Sequence, residues 1–388
     1  MSVETISLGC RLNFAETETI ARAAPADEDW IVVNSCAVTN EAVRQTRQAI
    51  RRAHRQRPRA KILVTGCAAE LDPGSFDAMP EVARVAGNAR KLNIFSAPDA
   101  MTPVPAGLLA KVKSFVAVQT GCDHRCTFCS IWQARGPSRS IPFGAIRDAT
   151  AREIDRGAKE IVLTGVDITD YEGGLGKLCE RLLASEPRLR RLRLSSLDSV
   201  EIDDALHELI AGEPRLMPHF HLSLQAGDDM ILKRMKRRHS RADAVRTVNR
   251  IKAARADATI GADLIAGFPT ETEEMSLNTL KLIDDSDVIA AHVFPFSPRP
   301  NTPAARMPQL PREVVKARAA RLRQAAAARR SKWLGSLIGT TQPVLVEGEH
   351  RGHTDNFAPV AIGDAVRGKS GLARIIDSGE DALTAVWA

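Results

Sequence analysis

Short apolar runs alternate with helical patterns along most of this 388-residue chain. In its first part the apolar runs begin at Ile6, Trp30, Lys61 and Arg84, and a helical pattern separates each run from the next. Strands that alternate with helices predict a parallel α/β sheet. We therefore predict an N-terminal α/β domain over residues 1–105. A linker closes this domain and is marked by Pro98, Pro103 and Pro105.

A second repeating pattern begins at Ser114 and contains six strand-like runs with helical patterns between them. The predicted strands are 114–119, 160–164, 192–195, 220–225, 260–266 and 288–294. The predicted helices include 140–156, 175–183, 229–254 and an alanine-rich helix over 312–332. Repeated strand–helix units predict a partial (β/α)6 TIM-like barrel over residues 112–335, with its functional groups at the carboxyl ends of the strands.

The final residues change character, because short apolar strands are divided by Gly and Asp turns. The predicted strands are 342–347, 357–362, 364–369, 372–376 and 382–387. This pattern predicts a small antiparallel β-barrel over residues 336–388. Such a barrel serves either as a nucleic-acid-binding module or as a packing module.

Three of the seven cysteines follow the first predicted barrel strand in one short loop. Cys122, Cys126 and Cys129 can place three soft thiolates around one metal centre and leave one coordination position open. A structural zinc site normally has four ligands in two pairs, and the sequence contains no second Cys-x-x-Cys pair. A zinc site completed by His124, or three unrelated buried thiols, are the alternatives.

Three more cysteines each follow one of the first three predicted strands. Cys10, Cys36 and Cys67 should converge, because the carboxyl ends of parallel strands share one edge of a sheet. This placement predicts a second metal site with three thiolates. The alternative is three buried small hydrophobes, which is a common role of free cysteine. Cys179 lies among leucines in a helical pattern, which predicts a structural role.

Charge and composition narrow the class of protein. The net charge of +7 and the pI near 9.2 favour an acidic partner such as nucleic acid. Three basic segments are either solvated faces or phosphate contacts: 44–59, 233–239 and 312–332. Clustered free thiols fit a reducing cytoplasm. The sequence has no signal-peptide pattern and no apolar run of membrane-spanning length, so we expect a cytoplasmic protein without a membrane partner.

The motifs resemble those of a known family. The spacing Cys-x-x-x-Cys-x-x-Cys, with Phe128 before its last cysteine, resembles the signature of the radical S-adenosylmethionine (SAM) enzymes. The whole chain is similar to the methylthiotransferases, and within them to the branch that modifies N6-threonylcarbamoyladenosine (t6A) beside the tRNA anticodon. The stretches that carry this resemblance are 8–13, 16–18, 34–39, 65–67, 122–129, 134–136, 138–140, 222–225, 267–269 and 292–300. The last barrel resembles the RNA-binding TRAM fold through 346–348 and 352–357.

The resemblance implies two [4Fe-4S] clusters and SAM as cofactors. Cys122, Cys126 and Cys129 would hold the SAM cluster, whereas Cys10, Cys36 and Cys67 would hold an auxiliary cluster. The expected SAM-pocket residues are Phe128, Gly165, Ser223, Gln225 and Gly267. No catalytic residue is expected beyond the cluster ligands. The implied partners are the tRNA anticodon stem-loop, an electron donor such as flavodoxin or ferredoxin, and a sulfur donor.

The implied reaction is methylthiolation of C2 of t6A at tRNA position 37, in which one SAM supplies a radical and a second supplies the methyl group. Arg11 and the stretch 297–303 favour this branch. Sibling branches modify N6-isopentenyladenosine in tRNA or an aspartate of a ribosomal protein. A non-catalytic iron–sulfur RNA-binding protein is the alternative from another class. Ser130 and Trp132 depart from the apolar residues and proline that the family tends to have after the last cysteine.

Overall fold

The computed structural model of the chain describes residues 3–25, 27–95 and 112–388. The predicted linker prolines lie outside these residues. The first unit contains β1 (Glu4–Ser7), α1 (Arg11–Ala23), β2 (Trp30–Ser35), α2 (Asn40–Gln56), β3 (Lys61–Gly66), α3 (Cys67–Leu71), α4 (Pro73–Asp77) and β4 (Arg84–Val85). Its four strands form a parallel sheet in chain order, as the alternating pattern predicted.

The central strand β2 is buried along its whole length. Ile31 and Val33 pack into one apolar cluster, whereas Trp30 and Val32 pack into another on the opposite face. A parallel strand that is covered on both faces is expected to be apolar throughout. The polar residues at its end, beginning with Asn34, therefore mark the edge at which the sheet meets its site.

The second unit is the partial barrel. Its elements are β5 (Lys113–Ala117), β6 (Gln119–Thr120), α5 (Ile131–Arg135), β7 (Arg139–Ser140), α6 (Phe143–Asp155), β8 (Glu160–Thr164), α7 (Leu175–Ser185), β9 (Leu192–Leu194), α8 (Asp204–Gly212), β10 (His219–Gln225), α9 (Asp229–Met235), α10 (Arg241–Ala254), β11 (Thr259–Ala266), α11 (Glu273–Asp285), β12 (Val288–Pro295) and α12 (Arg312–Ser336). Strands β5-β8-β9 and β10-β11-β12 form two parallel sheets. Single parallel bridges, such as the one between Leu197 and Leu222, join them. None of the helices in the described ranges is long and apolar enough to cross a membrane.

The helix predicted over 229–254 is wrong, because the chain forms two helices there. Lys236 adopts the left-handed conformation with φ of +62° and ends α9. Ser240 then starts α10 with a capping box, in which its hydroxyl accepts from the Asp243 backbone and the Asp243 carboxylate accepts from the Ser240 backbone. The break carries Arg237 toward the interior, where it donates to a cysteine thiol.

Side chains of the barrel strands alternate between two environments. Ile161 and Leu163 of β8 point outward into the main apolar core under the helices. The inner face instead carries polar groups, among them Glu160, Arg193 and His219, all buried. Interiors of closed (β/α)8 barrels are mostly filled by branched apolar residues. The inner face of this barrel differs from that rule, and its polar side chains pair with one another, as Arg193 does with Glu160.

The third unit is a closed barrel with the strand order β13-β14-β15-β17-β16. Its strands are β13 (Thr341–Gly348), β14 (Arg351–Thr354), β15 (Pro359–Ile362), β16 (Ser370–Ser378) and β17 (Leu383–Trp387). Strands β15 and β17 pair in parallel, so the barrel is not wholly antiparallel. The predicted strand over 364–369 is wrong, because these residues form a turn, and the polar strand β14 was missed.

The loop after β14 attaches the small barrel to the large one. The ring of Phe357 stacks on His219 with centroids 4.9 Å apart and on His353 at 4.6 Å. The guanidinium of Arg193 lies 4.9 Å from the same ring. Thr259 Oγ1 donates to the carbonyl of Asn356 at 2.7 Å. The loop thus closes the amino-terminal end of the large barrel, opposite the predicted site.

Replacing Phe357 with alanine should loosen this attachment. Loss of the two ring stacks and of the cation–π contacts with Arg193 and Lys113 should lower the free energy of unfolding by about 1–2 kcal/mol. Thermal unfolding followed by circular dichroism would measure the change. The control is Leu372→Ala, at a side chain that is 58% exposed on the small barrel. Equal midpoints for the two variants would contradict the prediction.

Candidate site between two sets of three cysteines

The first set of thiols lies at the carboxyl edge of the N-terminal sheet. Cys36 follows β2, Cys67 is the first residue of α3 directly after β3, and Cys10 is the N-cap of α1. Burial raises the pKa of Cys36 to about 11, and the thiols of Cys10 and Cys67 add to this rise. The sheet therefore brings together three cysteines that are far apart in sequence. Because burial disfavours the thiolate of Cys36, a bound cation would stabilise its charge here.

Asn13 fixes the loops that carry this set. Its side-chain amide donates to the carbonyls of Leu8 and Ser35, both at 2.9 Å. Asn34 donates in return to the carbonyl of Asn13 at 2.9 Å. These bonds link the residues that precede Cys10 to those that precede Cys36. The two loops are thereby held in register independently of any ligand.

The second set lies in the loop after β5 and β6. Burial raises the pKa of Cys122 to about 12 and that of Cys129 to about 11, and the charge of Cys126 adds to both rises. Gln119 holds the loop against the next strand end. Its side-chain oxygen accepts from the backbone of Asp167 at 2.9 Å, while its amide donates to the carbonyl of Gly121 at 2.8 Å.

A buried arginine contacts each set. Arg135 Nε lies 3.2 Å from the Sγ of Cys67, and Arg237 Nη1 lies 3.6 Å from the Sγ of Cys126. Arg135 belongs to α5 of the large barrel, so it reaches from the second unit to a cysteine of the first. Sequence reasoning missed both roles. The only signal was that Arg135 stands in a motif of the resemblance and Arg237 in a basic segment.

The two sets face each other across the boundary between the sheet and the barrel. The charge of Cys67 contributes to the raised pKa of Cys129. Burial lowers the pKa of Arg299, and the thiols of Cys36 and Cys129 act against this lowering. Arg299, which also donates to Asn40 Oδ1, therefore lies near one cysteine of each set. Cys67 and Cys129 are likewise close enough to interact electrostatically.

The donor set and its surroundings fit iron–sulfur groups. Each set supplies three soft thiol ligands, which suits a [4Fe-4S] cluster with one iron left open. Several buried polar atoms beside the thiols have no partner among the described residues: Ser130 Oγ, Trp132 Nε1, Arg237 Nε and Arg299 Nε. Unsatisfied donors that surround thiols are expected where an anionic group belongs.

His124 interacts with carboxylates. Its Nε2 lies 2.7 Å from Asp167 and 3.4 Å from Glu201, and its Nδ1 lies 3.7 Å from Asp198. The hydrogen bond with Asp167 raises the pKa of His124. The donor atoms of Cys122, His124 and Asp167 lie within 4.8 Å of one another. The tight carboxylate pairing favours an organising role of His124 in the loop over the role of fourth zinc ligand.

The expected SAM-pocket residues lie at the same end of the barrel as the cysteine loop. Gly165 follows β8, Ser223 and Gln225 end β10, and Gly267 follows β11. Phe128 packs against the apolar cluster beside this end.

Close packing is a second reason why glycine stands at positions 165 and 267. A Cβ on Gly165 would lie 2.9 Å from the Gln119 carbonyl, and one on Gly267 would lie 2.8 Å from Val315 Cγ2. Gly267 also has φ of +71°. Their role toward SAM stays a prediction.

A cluster of polar side chains on the inner face of the large barrel was not predicted from the sequence. Asp263 Oδ1 lies 3.0 Å from His221 Nε2 and 3.1 Å from His292 Nδ1. Burial opposes ionisation of Asp263, but hydrogen bonds from the two histidines outweigh it and hold its pKa below the usual range. Burial lowers the pKa of Arg11, and Arg193 and Asp263 are among the charges acting on it. Arg11 has no ion pair or side-chain hydrogen bond among the described residues, which leaves its cation available to a ligand.

Comparisons with known proteins agree with this architecture. Residues 116–283 match the family model of the radical SAM superfamily, and residues 2–87 match that of uncharacterized protein family UPF0004. The radical SAM methyltransferase TsrM from Kitasatospora setae shares the fold, with a TM-score of 0.54 and 15% identity over 75% of this chain and 66% of that one.

Relatives that align over nearly the whole chain identify the family more specifically than the two family models do. The chain is 44% identical to the threonylcarbamoyladenosine tRNA methylthiotransferase MtaB of Rickettsia prowazekii, over 92% of this chain and 91% of that protein. It is 31% identical to the tRNA-2-methylthio-N(6)-dimethylallyladenosine synthase of Erythrobacter litoralis, over 97% and 95%. Similarity at this level extends across all three units. The chain therefore belongs to the radical SAM methylthiotransferase family.

Proposed function

We propose that this protein methylthiolates C2 of t6A at position 37 of tRNA, with two [4Fe-4S] clusters and two molecules of SAM. The observation that carries the proposal is the 44% identity to a threonylcarbamoyladenosine tRNA methylthiotransferase over nearly the whole chain. Two facing sets of three cysteines support it. A reaction that joins a methylthio group to a carbon needs the radical and the sulfur source close together.

Membership of the radical SAM family implies a [4Fe-4S] cluster and SAM. Cys122, Cys126 and Cys129 would hold this cluster, which supplies the electron that cleaves SAM. Cys10, Cys36 and Cys67 would hold the second cluster, beside the sulfur that is transferred. The chain itself orients both sets, through Asn13 and Gln119, and buries Cys36, Cys67 and Cys126.

The polar inner face of the barrel supports t6A over the dimethylallyl substrate. The threonylcarbamoyl substituent carries a carboxylate and a hydroxyl, whereas a dimethylallyl group is hydrocarbon. Arg11, His221, Asp263 and His292 offer charges and hydrogen bonds to the threonylcarbamoyl group. Arg11 has no ion pair among the described residues, so burying it against a hydrocarbon would leave its charge uncompensated, which is costly.

Helix α2 is the basic segment best placed for tRNA phosphates. Four exposed arginines in and after it have no ion pair among the described residues: Arg51, Arg52, Arg55 and Arg59. Basic residues of the other two segments are largely engaged within the protein. Arg237 and Arg318, for example, pair with Asp198 and Glu271. Unpaired cations on one surface are typical of phosphate contacts.

The three units then have separate roles. The N-terminal sheet holds the auxiliary thiols, the large barrel holds SAM and the substrate base, and the small barrel is attached at the far end as an RNA-binding module. An electron donor such as flavodoxin or ferredoxin and a sulfur donor act from outside. Free thiols support work in a reducing compartment, the cytoplasm.

Nucleoside analysis of tRNA tests the proposal directly. The reconstituted protein, given SAM, a reductant, a sulfide source and anticodon stem-loops, should convert t6A to its 2-methylthio form. Stem-loops with N6-isopentenyladenosine should react at least about 100-fold less efficiently, as expected when a polar site meets an apolar analogue. Preference for the isopentenyl substrate would assign the sibling branch. Iron binding without SAM cleavage would indicate a non-catalytic RNA-binding protein.

A further inference from the structure

Each set of three cysteines has one buried arginine that donates to one of its thiols. The Arg135 side chain is 2% exposed and its Nε lies 3.2 Å from Cys67 Sγ. The Arg237 side chain is 7% exposed and its Nη1 lies 3.6 Å from Cys126 Sγ. Arginine stays protonated in proteins, so each contact places a permanent positive charge beside a metal ligand.

Arg135 is fixed by a buried network. Its guanidinium donates to both carboxylate oxygens of Glu16, at 2.8 and 2.9 Å, and to Asn13 Oδ1 at 2.7 Å. Lys91 donates to the same carboxylate at 2.5 Å. Two buried cations therefore share one buried anion. Lys91 and Arg135 have no other carboxylate partner among the described residues, so negative charge at the neighbouring cysteines would balance the remaining positive charge.

Arg237 is fixed in a comparable way on the other side. One of its nitrogens donates to Asp198 at 2.8 Å and to the carbonyl of Ser223 at 2.9 Å. The other terminal nitrogen is left to face Cys126. The left-handed residue Lys236 turns the chain so that Arg237 enters the interior. The backbone break between α9 and α10 is what delivers this side chain to the thiol.

Charge and hydrogen bonding at the sulfurs set the behaviour of an iron–sulfur group. Reduction adds one negative charge, which a nearby cation stabilises, so a cation raises the reduction potential. Groups that hydrogen-bond to metal ligands also affect how tightly the metal is held. Since the two arginines are fixed by different partners, each can act on its own site.

We propose that Arg135 and Arg237 are positioning residues, each of which raises the reduction potential of the iron–sulfur group held by its own set of cysteines and helps to retain it. This inference rests on the proposed function, because it assumes that each set holds such a group. It assigns a role to two residues that touch no reacting atom.

The two sites can be measured separately in the full chain. A variant with alanine at Cys122, Cys126 and Cys129 keeps only the auxiliary set and serves as the parent for further substitutions. In this parent, Arg135→Gln should shift the one-electron reduction equilibrium at least about tenfold toward the oxidised form. Such a shift lowers the reduction potential by about 59 mV. Redox titration followed by electron paramagnetic resonance measures this shift. Iron content should fall as well, and Arg135→Lys should restore part of both properties.

Glu16→Gln provides a test of opposite sign. Removing the Glu16 carboxylate leaves the positive charges of Arg135 and Lys91 less compensated. The reduction potential of the auxiliary group should therefore rise, whereas Arg135→Gln should lower it. Damage to the fold alone would not move the two variants in opposite directions. The reciprocal parent, with alanine at Cys10, Cys36 and Cys67, tests Arg237→Gln in the same way.

Arg188→Gln is the matched control in both parents. This arginine is 55% exposed and precedes β9, at the end of the barrel opposite the thiols. A loaded parent whose potential is the same with Arg135→Gln as with Arg188→Gln would overturn this inference alone. A parent that binds no iron would overturn the proposed cofactors and this inference together.

Discussion

Alanine at Cys10, Cys36 and Cys67 should abolish methylthiolation while SAM cleavage remains measurable. The three thiols converge at the edge of the N-terminal sheet, and the other set has its own loop and its own arginine. Loss of one set should therefore halve the iron content from about eight to about four per chain. The product should fall below detection, because no group remains to carry the transferred sulfur. Single Cys10→Ala should already show the same pattern.

The opposite set and the seventh cysteine provide the controls. Alanine at Cys122, Cys126 and Cys129 should abolish both SAM cleavage and methylthiolation. Cys179→Ala should leave the iron content unchanged, because Cys179 is buried in the apolar core of the barrel. Loss of SAM cleavage in the chain without the auxiliary thiols, with four irons retained and an intact circular dichroism spectrum, would contradict separate roles for the two sets.

The convergence of the auxiliary thiols was predictable because it depends on local pattern. Each of Cys10, Cys36 and Cys67 follows a strand, and parallel strands end at one edge whatever surrounds them. The cysteine loop after β5 follows the same rule. Such features need only strand direction, which the alternating pattern gives. The partial barrel was predictable for the same reason, whereas the small barrel was predicted from short apolar runs and turns, which gave one wrong strand and missed β14.

Contacts between units were not predictable, because they depend on surfaces far apart in sequence. Arg135 meets Glu16 across 119 positions, and Phe357 stacks on His219 in another barrel. Glu16 and Arg135 stand in motifs of the resemblance, but no local pattern indicates that they contact each other. The break at Lys236 was hidden because neither glycine nor proline marks it, although the Ser240 capping box was a usable signal.

Arg11→Gln should remove the recognition of the substrate carboxylate. Arg11 begins α1, which packs along β5 through the edge-to-face contact of Phe14 and Phe115 at 5.9 Å, and no group of the described residues pairs with its cation. A charge-assisted hydrogen bond contributes about 1.5–3 kcal/mol, so kcat/KM for t6A stem-loops should fall about 10- to 100-fold. Arg11→Lys should retain part of the activity.

A neutral substrate analogue identifies the contact. The natural protein should use a t6A methyl ester about 10- to 100-fold less efficiently than the free acid, whereas Arg11→Gln should use both equally. Because Arg11 directly follows Cys10, the iron content of Arg11→Gln must be measured and must stay unchanged. The control variant Arg188→Gln should retain the preference for the acid.

If Arg11→Gln still prefers the acid by the same factor, another group binds the carboxylate. If the natural protein prefers isopentenyl stem-loops, the substrate itself is misassigned. Both histidines already bond Asp263, whereas Arg11 has no ion pair among the described residues and can balance an incoming carboxylate.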